Sequence, residues 1–157
     1  MQKITPFLWY AKEAEEAANF YASIFPDSRV GRIATMPAES PSGPPDSVKV
    51  VDFVLFGQSF TAMSAGPMDP FNHAVSFVVN CESQEEVDYY WDRLSAGGDP
   101  ASQRCAWLKD KFGVSWQIVP TVLPELLQGP KAGKVMQALM QMSKLDIAAL
   151  KRASEQP

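Results

Sequence analysis

One phrase occurs twice in this chain. FGQSFTAM at 56–63 returns as FGVSWQIV at 112–119. Superposing Phe56 on Phe112 puts Gly57 on Gly113, Ser59 on Ser115 and Phe60 on Trp116. Each copy predicts a tight turn at the glycine leading into a strand. In the second copy Ser115, Gln117 and Val119 fall on one face, and Val114, Trp116 and Ile118 on the other. A second echo precedes the first. FLWY at 7–10 followed by EEAANFY at 15–21 is answered seventy positions later by FVVN at 77–80 and EEVDYYW at 85–91. A short apolar strand thus runs twice into a helix that opens on two acids and carries paired aromatics. Two strand–helix–strand modules facing one another are the economical reading.

The expected boundaries are module one at 1–66, a linker at 67–72, module two at 73–120 and helices at 121–157. At 157 residues, 46% hydrophobic and 20% charged, the chain suffices for one globular domain with a core of its own. In module one, strands are expected at 4–10, 29–36, 48–56 and 59–65. The helix at 11–25 carries Ala14, Ala17, Ala18, Tyr21, Ile24 and Phe25 as its apolar stripe. Glu13, Glu15 and Glu16 suit its N-terminal dipole. Residues 37–47 hold four prolines and a glycine, which excludes helix or ladder and predicts a surface loop, with a lid over a pocket as the alternative.

Module two is expected to open with a buried strand at 73–80. Its helix at 83–94 has Ser83 as N-cap, Glu86 closing a capping box, and Val87, Tyr90, Trp91 and Leu94 inward. Gly97 and Gly98 stop it. A short strand at 101–104 is expected before the pair at 105–109 and 114–119, with Lys109, Asp110 and Lys111 as a water-exposed turn between them. The periodic segments at 124–127, 131–142 and 146–153 lie outside the repeat, and are expected to cover an open sheet face or a partner chain.

Other totals exclude function classes. A net charge of −4 leaves no electrostatic footprint for nucleic acid. Cys81 and Cys105 have no ligand spacing and read as reduced thiols. No stretch reaches the roughly 18 apolar residues of a membrane span, and the N-terminus lacks a signal-peptide pattern. A cytoplasmic protein without membrane or nucleic-acid partners is expected.

PFLWY at 6–10 with EEAANFY, AVSF at 74–77, YYW at 89–91 and WLKDKFGVSWQIVP at 107–120 resemble the PhnB-like proteins. These are often labelled demethylubiquinone methyltransferase-like, and belong to the vicinal oxygen chelate superfamily with glyoxalase I, bleomycin resistance proteins and extradiol dioxygenases. The resemblance implies an α+β fold in which two pseudo-twofold-related βαβββ modules form curved sheets around a cavity. It also implies a homodimer, a small-molecule ligand and, in metal-using relatives, a divalent ion on four side chains from the first and last strands of each module. His73 and Gln117 match two of those positions. The repeat maps Gln117 onto Thr61, and the fourth position falls near Thr5 or Pro6. Imidazole, amide and two poor donors would hold a divalent metal weakly and supply no strong base. A glyoxalase-like lyase or isomerase and a metal-free, ligand-sequestering binding protein both remain open. Methyl transfer is not expected: no glycine-rich turn stands at either strand–helix junction to hold a nucleotide-like methyl donor. Pocket candidates are Trp9, Phe53, Ser64, His73, Phe77, Trp107, Trp116 and Gln117, an aromatic lining with a few polar tips.

Overall fold

The structure, a computed structural model, describes residues 2–157 and divides at Pro70–Phe71 into two compact units. The first contains β1 (Phe7–Tyr10), α1 (Ala14–Ile24), β2 (Arg29–Thr35), β3 (Lys49–Leu55) and β4 (Gln58–Ser64). Its sheet has the order β1-β4-β3-β2, with β1 parallel to β4 and the remaining pairs antiparallel. Alternation sends Val51, Phe53 and Leu55 of β3, and Phe60 and Ala62 of β4, into the core against the stripe of α1. Phe53 stacks between Tyr21 and Phe60 with ring centroids 6.3 and 5.3 Å away. The β3–β4 turn is the two-residue loop Phe56-Gly57, and both residues have positive φ. That hand matches the twist of the strands it joins.

Between β2 and β3 the proline-rich segment forms a supported excursion. Met36 N–H donates to Val48 O and Asp46 N–H to Met36 O, and Ser40 and Gly43 exchange two bonds. Thr35 Oγ1 donates to Asp46 Oδ1 at 2.8 Å. These ties give a turn-rich loop without helix or long ladder.

The second unit contains β5 (Ser76–Cys81), α2 (Gln84–Ser95), β6 (Trp107–Lys109), β7 (Ser115–Pro120), α3 (Leu123–Leu126), α4 (Ala132–Leu139) and α5 (Ile147–Glu155). Its sheet has the order β5-β7-β6, with β5 parallel to β7. Ser83 Oγ accepts from Glu86 N–H, while the Glu86 carboxylate accepts from Glu82 N–H, so the expected cap forms with its return bond one residue early. Together the units give an α+β fold whose two sheets hold four and three strands, with helices at the C-terminus.

The strand expected at 101–104 is not formed. Pro100–Ser102 is a 3₁₀ turn, started by Asp99, whose carboxylate accepts from Ala101 N–H. Pro100 cannot donate to a ladder, and Ser102 Oγ takes the Lys109 N–H that a fourth strand would have bonded. Only an isolated bridge joins Arg104 to Trp107. The two hairpins also differ. Gly113 is left-handed like Gly57, but it sits in a longer loop in which Asp110 N–H donates to Val114 O.

The C-terminal helices close around their own core of Val135, Leu139, Leu145 and Leu150, packed on Ala106. Each fully buried leucine or valine contributes about 1.5–3 kcal/mol relative to exposure. This core packs on Val119 of β7, on the sheet face away from α2, and the segment joining the helices also covers the sheet edge. Cys105 N–H donates to Met142 O and Ala106 N–H to Ser143 O, which satisfies the chain just ahead of β6. Gln84 on α2 fixes the other end, donating to Leu145 O and accepting from Ile147 N–H. No helix among the described residues is long and apolar enough to cross a membrane.

Candidate functional site

The face of each sheet turned away from its helix carries the residues available for binding. In the second unit this face presents Ser76 and Val78 of β5, Trp107 and Lys109 of β6, and Ser115 and Gln117 of β7. The other face holds Val79, Cys81, Leu108, Trp116 and Ile118 against α2. A cleft of about 740 Å³ opens over the first face, where β6 lacks a neighbour and the 3₁₀ turn bends away. Its walls include His73, Arg104, Cys105, Trp107, Lys109 and Ser115.

Ser115 is the anomaly in this cleft. It is 1% exposed, and its Oγ has no hydrogen-bond partner among the described residues. A hydroxyl buried without a partner costs about 1–3 kcal/mol. Beside it, Gln117 Nε2 donates to Ser76 Oγ at 2.9 Å, so that pair is satisfied. The His73 ring stands edge-on to Trp107 with centroids 6.4 Å apart. His73 itself lies in an exposed turn before β5, where Asn72 Oδ1 accepts from Ala74 N–H, and does not open the strand as expected.

The remaining candidates divide by strand face. Trp107 and Gln117 share the face away from α2, and Trp9 lies on the corresponding face in the first unit, where Trp9 Nε1 donates to Gly66 O at 3.0 Å. Phe53 and Trp116 pack on the helix side of their sheets, and Phe77 lies against Trp116 with ring centroids 5.3 Å apart. Ser64 is buried, and its Oγ accepts from Ala14 N–H at 2.9 Å. It caps α1 from a neighbouring strand, since the N-cap residue Glu13 makes no side-chain cap bond. Arg104, Cys105, Lys109 and Ser115 were not among the site candidates read from the sequence. Lys109 was findable by alternation from Trp107. Arg104 was not, because its position follows from the 3₁₀ turn.

Asp110 requires a correction of another kind. It is 2% exposed, not set in a water-exposed turn. Its Oδ1 accepts from Phe112 N–H and Val114 N–H, and its Oδ2 from Trp116 Nε1 at 2.9 Å. Three donors replace the water that the carboxylate gives up.

The donor set for a metal can be tested on these side chains. Gln117 donates to Ser76 through Nε2, the amide atom that does not bind metals, and Thr61 Oγ1 donates to Asp52 Oδ1 at 3.1 Å. Pro6 contributes a backbone oxygen already accepting from Thr61 N–H. No group of three or more His, Cys, Asp or Glu that could hold a metal ion occurs among the described residues. With His73 the one imidazole in the sequence, an amide, a hydroxyl and a backbone carbonyl make a weak donor set for a divalent ion.

The β7 register also refines the internal repeat. Thr61 pairs with Phe7, but its counterpart Gln117 pairs with Val78, one residue beyond Phe77. Exposure agrees: Phe7 and Val78 are half-exposed, and Tyr10 and Cys81 are buried. The helices keep the spacing seen in sequence, as Ala17, Tyr21 and Ile24 are buried like Val87, Trp91 and Leu94. The strand-to-helix connection is one residue shorter in module two.

Among known families, one described as 3-demethylubiquinone-9 3-methyltransferase matches residues 2–119. The solved PhnB protein of Bacillus cereus is 36% identical, covers 76% of this chain and 100% of its own, and superposes with a TM-score of 0.64. A protein of Pseudomonas aeruginosa is 20% identical over 76% of this chain and 98% of its own, with a TM-score of 0.53. The fosfomycin resistance protein FosX of Listeria monocytogenes, solved with Mn(II) and sulfate, is 17% identical over 82% of this chain and 99% of its own, with a TM-score of 0.54. The last two are likenesses of fold. No curated protein matches the chain.

Proposed function

Because the chain belongs to the PhnB-like family of the vicinal oxygen chelate superfamily, whose description reads 3-demethylubiquinone-9 3-methyltransferase, we propose that it binds or transforms a small organic molecule. The ligand lies in the cleft against Trp107 and His73. The observation that carries this reading is the Ser115 hydroxyl, buried in the cleft with nothing to bond. A bound molecule would supply the missing partner. An aromatic wall with a few polar groups is the usual construction of such a site. Native mass spectrometry of the purified protein, with ligand-dependent thermal shift, tests it. A chain that carries no small molecule and is stabilised by none across a broad panel would overturn it.

Methyl transfer lies outside this reading. The junctions Ala11–Glu13 and Glu82–Ser83 contain no glycine, and neither sheet is the doubly wound parallel type that cradles nucleotide-like cofactors. A second reading, metal-free sequestration of the ligand, is favoured by the weak donor set at the relatives' ligand positions, where Thr61 and Pro6 stand with His73 and Gln117. Titration with Mn, Ni, Zn and Fe separates it from a glyoxalase-like lyase or isomerase. Stoichiometric binding lost in His73→Ala would support the enzyme. The family resemblance also supports a homodimer, and Met136 of α4 and Met140 just beyond its end are exposed for such a contact. A monomeric mass by sedimentation at micromolar concentration would refute the dimer.

A further inference from the structure

We propose that the cleft of the second unit selects a small organic anion with a planar body, such as an aromatic carboxylate. This rests on the reading of that cleft as a ligand site, and adds the class of ligand. The charges in the cleft are unequal in availability. Arg104 and Lys109 line it, and neither side chain makes an ion pair among the described residues. The one carboxylate in the lining, Asp99, is occupied in starting the 3₁₀ turn, where its Oδ1 accepts from Ala101 N–H at 2.9 Å. In a chain of net charge −4, two cations without partners beside one cleft are a local reversal of the overall balance.

The rest of the lining fixes the shape of the ligand. Trp107 offers a half-buried indole on the same sheet face as Lys109, with the His73 ring edge-on to it. A flat π-system gains most from such a wall. Ser115 sits directly opposite Lys109 in the strand register and turns its unpartnered hydroxyl to the same side. An anion reaching the Lys109 ammonium is therefore positioned to accept from Ser115 Oγ as well. Arg104 can add a two-pronged contact to a carboxylate.

Calorimetric titration of the full chain with benzoate, benzamide and cyclohexanecarboxylate tests the assignment, with Trp fluorescence as a second readout. Benzoate is expected to bind at least tenfold more tightly than benzamide, and several-fold more tightly than cyclohexanecarboxylate. Arg104→Gln and Lys109→Gln should each weaken benzoate about tenfold and leave benzamide unchanged. Ser115→Ala should weaken benzoate about fivefold, with an unfolding midpoint equal to or above that of the parent. Equal affinity for benzoate and benzamide, insensitive to Arg104→Gln, would overturn the anion assignment while sparing the cleft as a small-molecule site. Failure of all three probes to bind would overturn the anion assignment, and only the same result across the broad panel would end the small-molecule reading with it.

Discussion

Asp110 Oδ2 accepts a hydrogen bond from the indole Nε1 of Trp116 at 2.9 Å, inside the turn that leads from β6 to β7. The bond ties the turn to the strand that carries Ser115 and Gln117. The other carboxylate oxygen holds the Phe112 and Val114 amides, so one side chain sets the geometry of the whole hairpin.

Asp110→Asn is therefore expected to destabilise the protein by about 2–4 kcal/mol, since hydrogen bonds to a charged acceptor are worth more than neutral ones and one amide donor would now face another. Trp116→Phe should cost about 1–2 kcal/mol, because it removes a single donor and leaves the two backbone bonds. The double variant should cost less than the sum of the two. Urea unfolding of the four proteins measures the coupling, and strict additivity would show that the bond contributes nothing.

The repeated modules were legible because alternation and turn glycines leave a regular imprint. Phe56-Gly57 and Phe112-Gly113 mark both hairpins, and the stripes of α1 and α2 fall where the spacing predicts. The buried Asp110 was not legible. Flanked by Lys109 and Lys111, it has the pattern of a solvated turn, and only the three donors folded around it permit its burial. Ser64 was misleading for a related reason. A serine on a strand looks like a polar tip in a pocket, but its partner is the first amide of a helix fifty residues away in sequence. The cleft depends on Pro100 and Asp99 replacing a strand with a 3₁₀ turn, which the repeat argued against.

Gly98 is a position where a single methyl should matter. A Cβ built there would lie 2.2 Å from Lys109 O and 3.2 Å from the Asp110 carbonyl carbon, both backbone atoms. Neither can yield without moving β6. Gly98→Ala is expected to lose about 2–3 kcal/mol, whereas Gly133→Ala, with nothing within 4 Å of its added methyl, should be neutral or slightly stabilising as a helical alanine. Thermal unfolding of the two variants side by side checks the contrast.

Gln84 links α2 to the C-terminal helices, and Asp88 reports on that link. The hydrogen bond from Gln84 and then the contact with Lys144 hold the Asp88 carboxyl below its ordinary value. Gln84→Ala should move the Asp88 titration upward toward the usual carboxylate range, measurable by NMR. It should also speed amide exchange at Ile147, whose N–H loses its Gln84 acceptor. A lowered carboxyl pKa supports the fold above the unfolded value and loses that support as pH falls through the folded one. Because the Asp88 side chain is nearly half exposed, the loss should be small, and seen at the C-terminal helices before the rest of the chain.

Cys81 sets the behaviour at the alkaline end. Its thiol is fully buried, and burial, followed by the charges of Glu86 and Glu82, pushes its pKa up from 9.0 to about 12. Such a thiol is a poor nucleophile because thiolate is the reactive form. A disulfide reagent at pH 8 should leave Cys81 unmodified in the native protein and reach it only after unfolding. The sign of the linkage follows from the direction of the shift. The unfolded chain releases this proton near pH 9 while the folded chain retains it to about 12, so stability is unaffected below pH 9 and falls as pH rises between the two values. The thiol alone removes on the order of 3–4 kcal/mol across that window, and Tyr90, raised by burial first and then by Glu86, adds to the decline above its ordinary value of 10.0. Cys81→Ala should flatten the slope between pH 9 and 11 while lowering stability at pH 7 by about 1 kcal/mol for the lost sulfur packing. Denaturant midpoints taken at half-unit steps of pH for parent and variant decide it, and parallel curves would show that the thiol is not the group responsible.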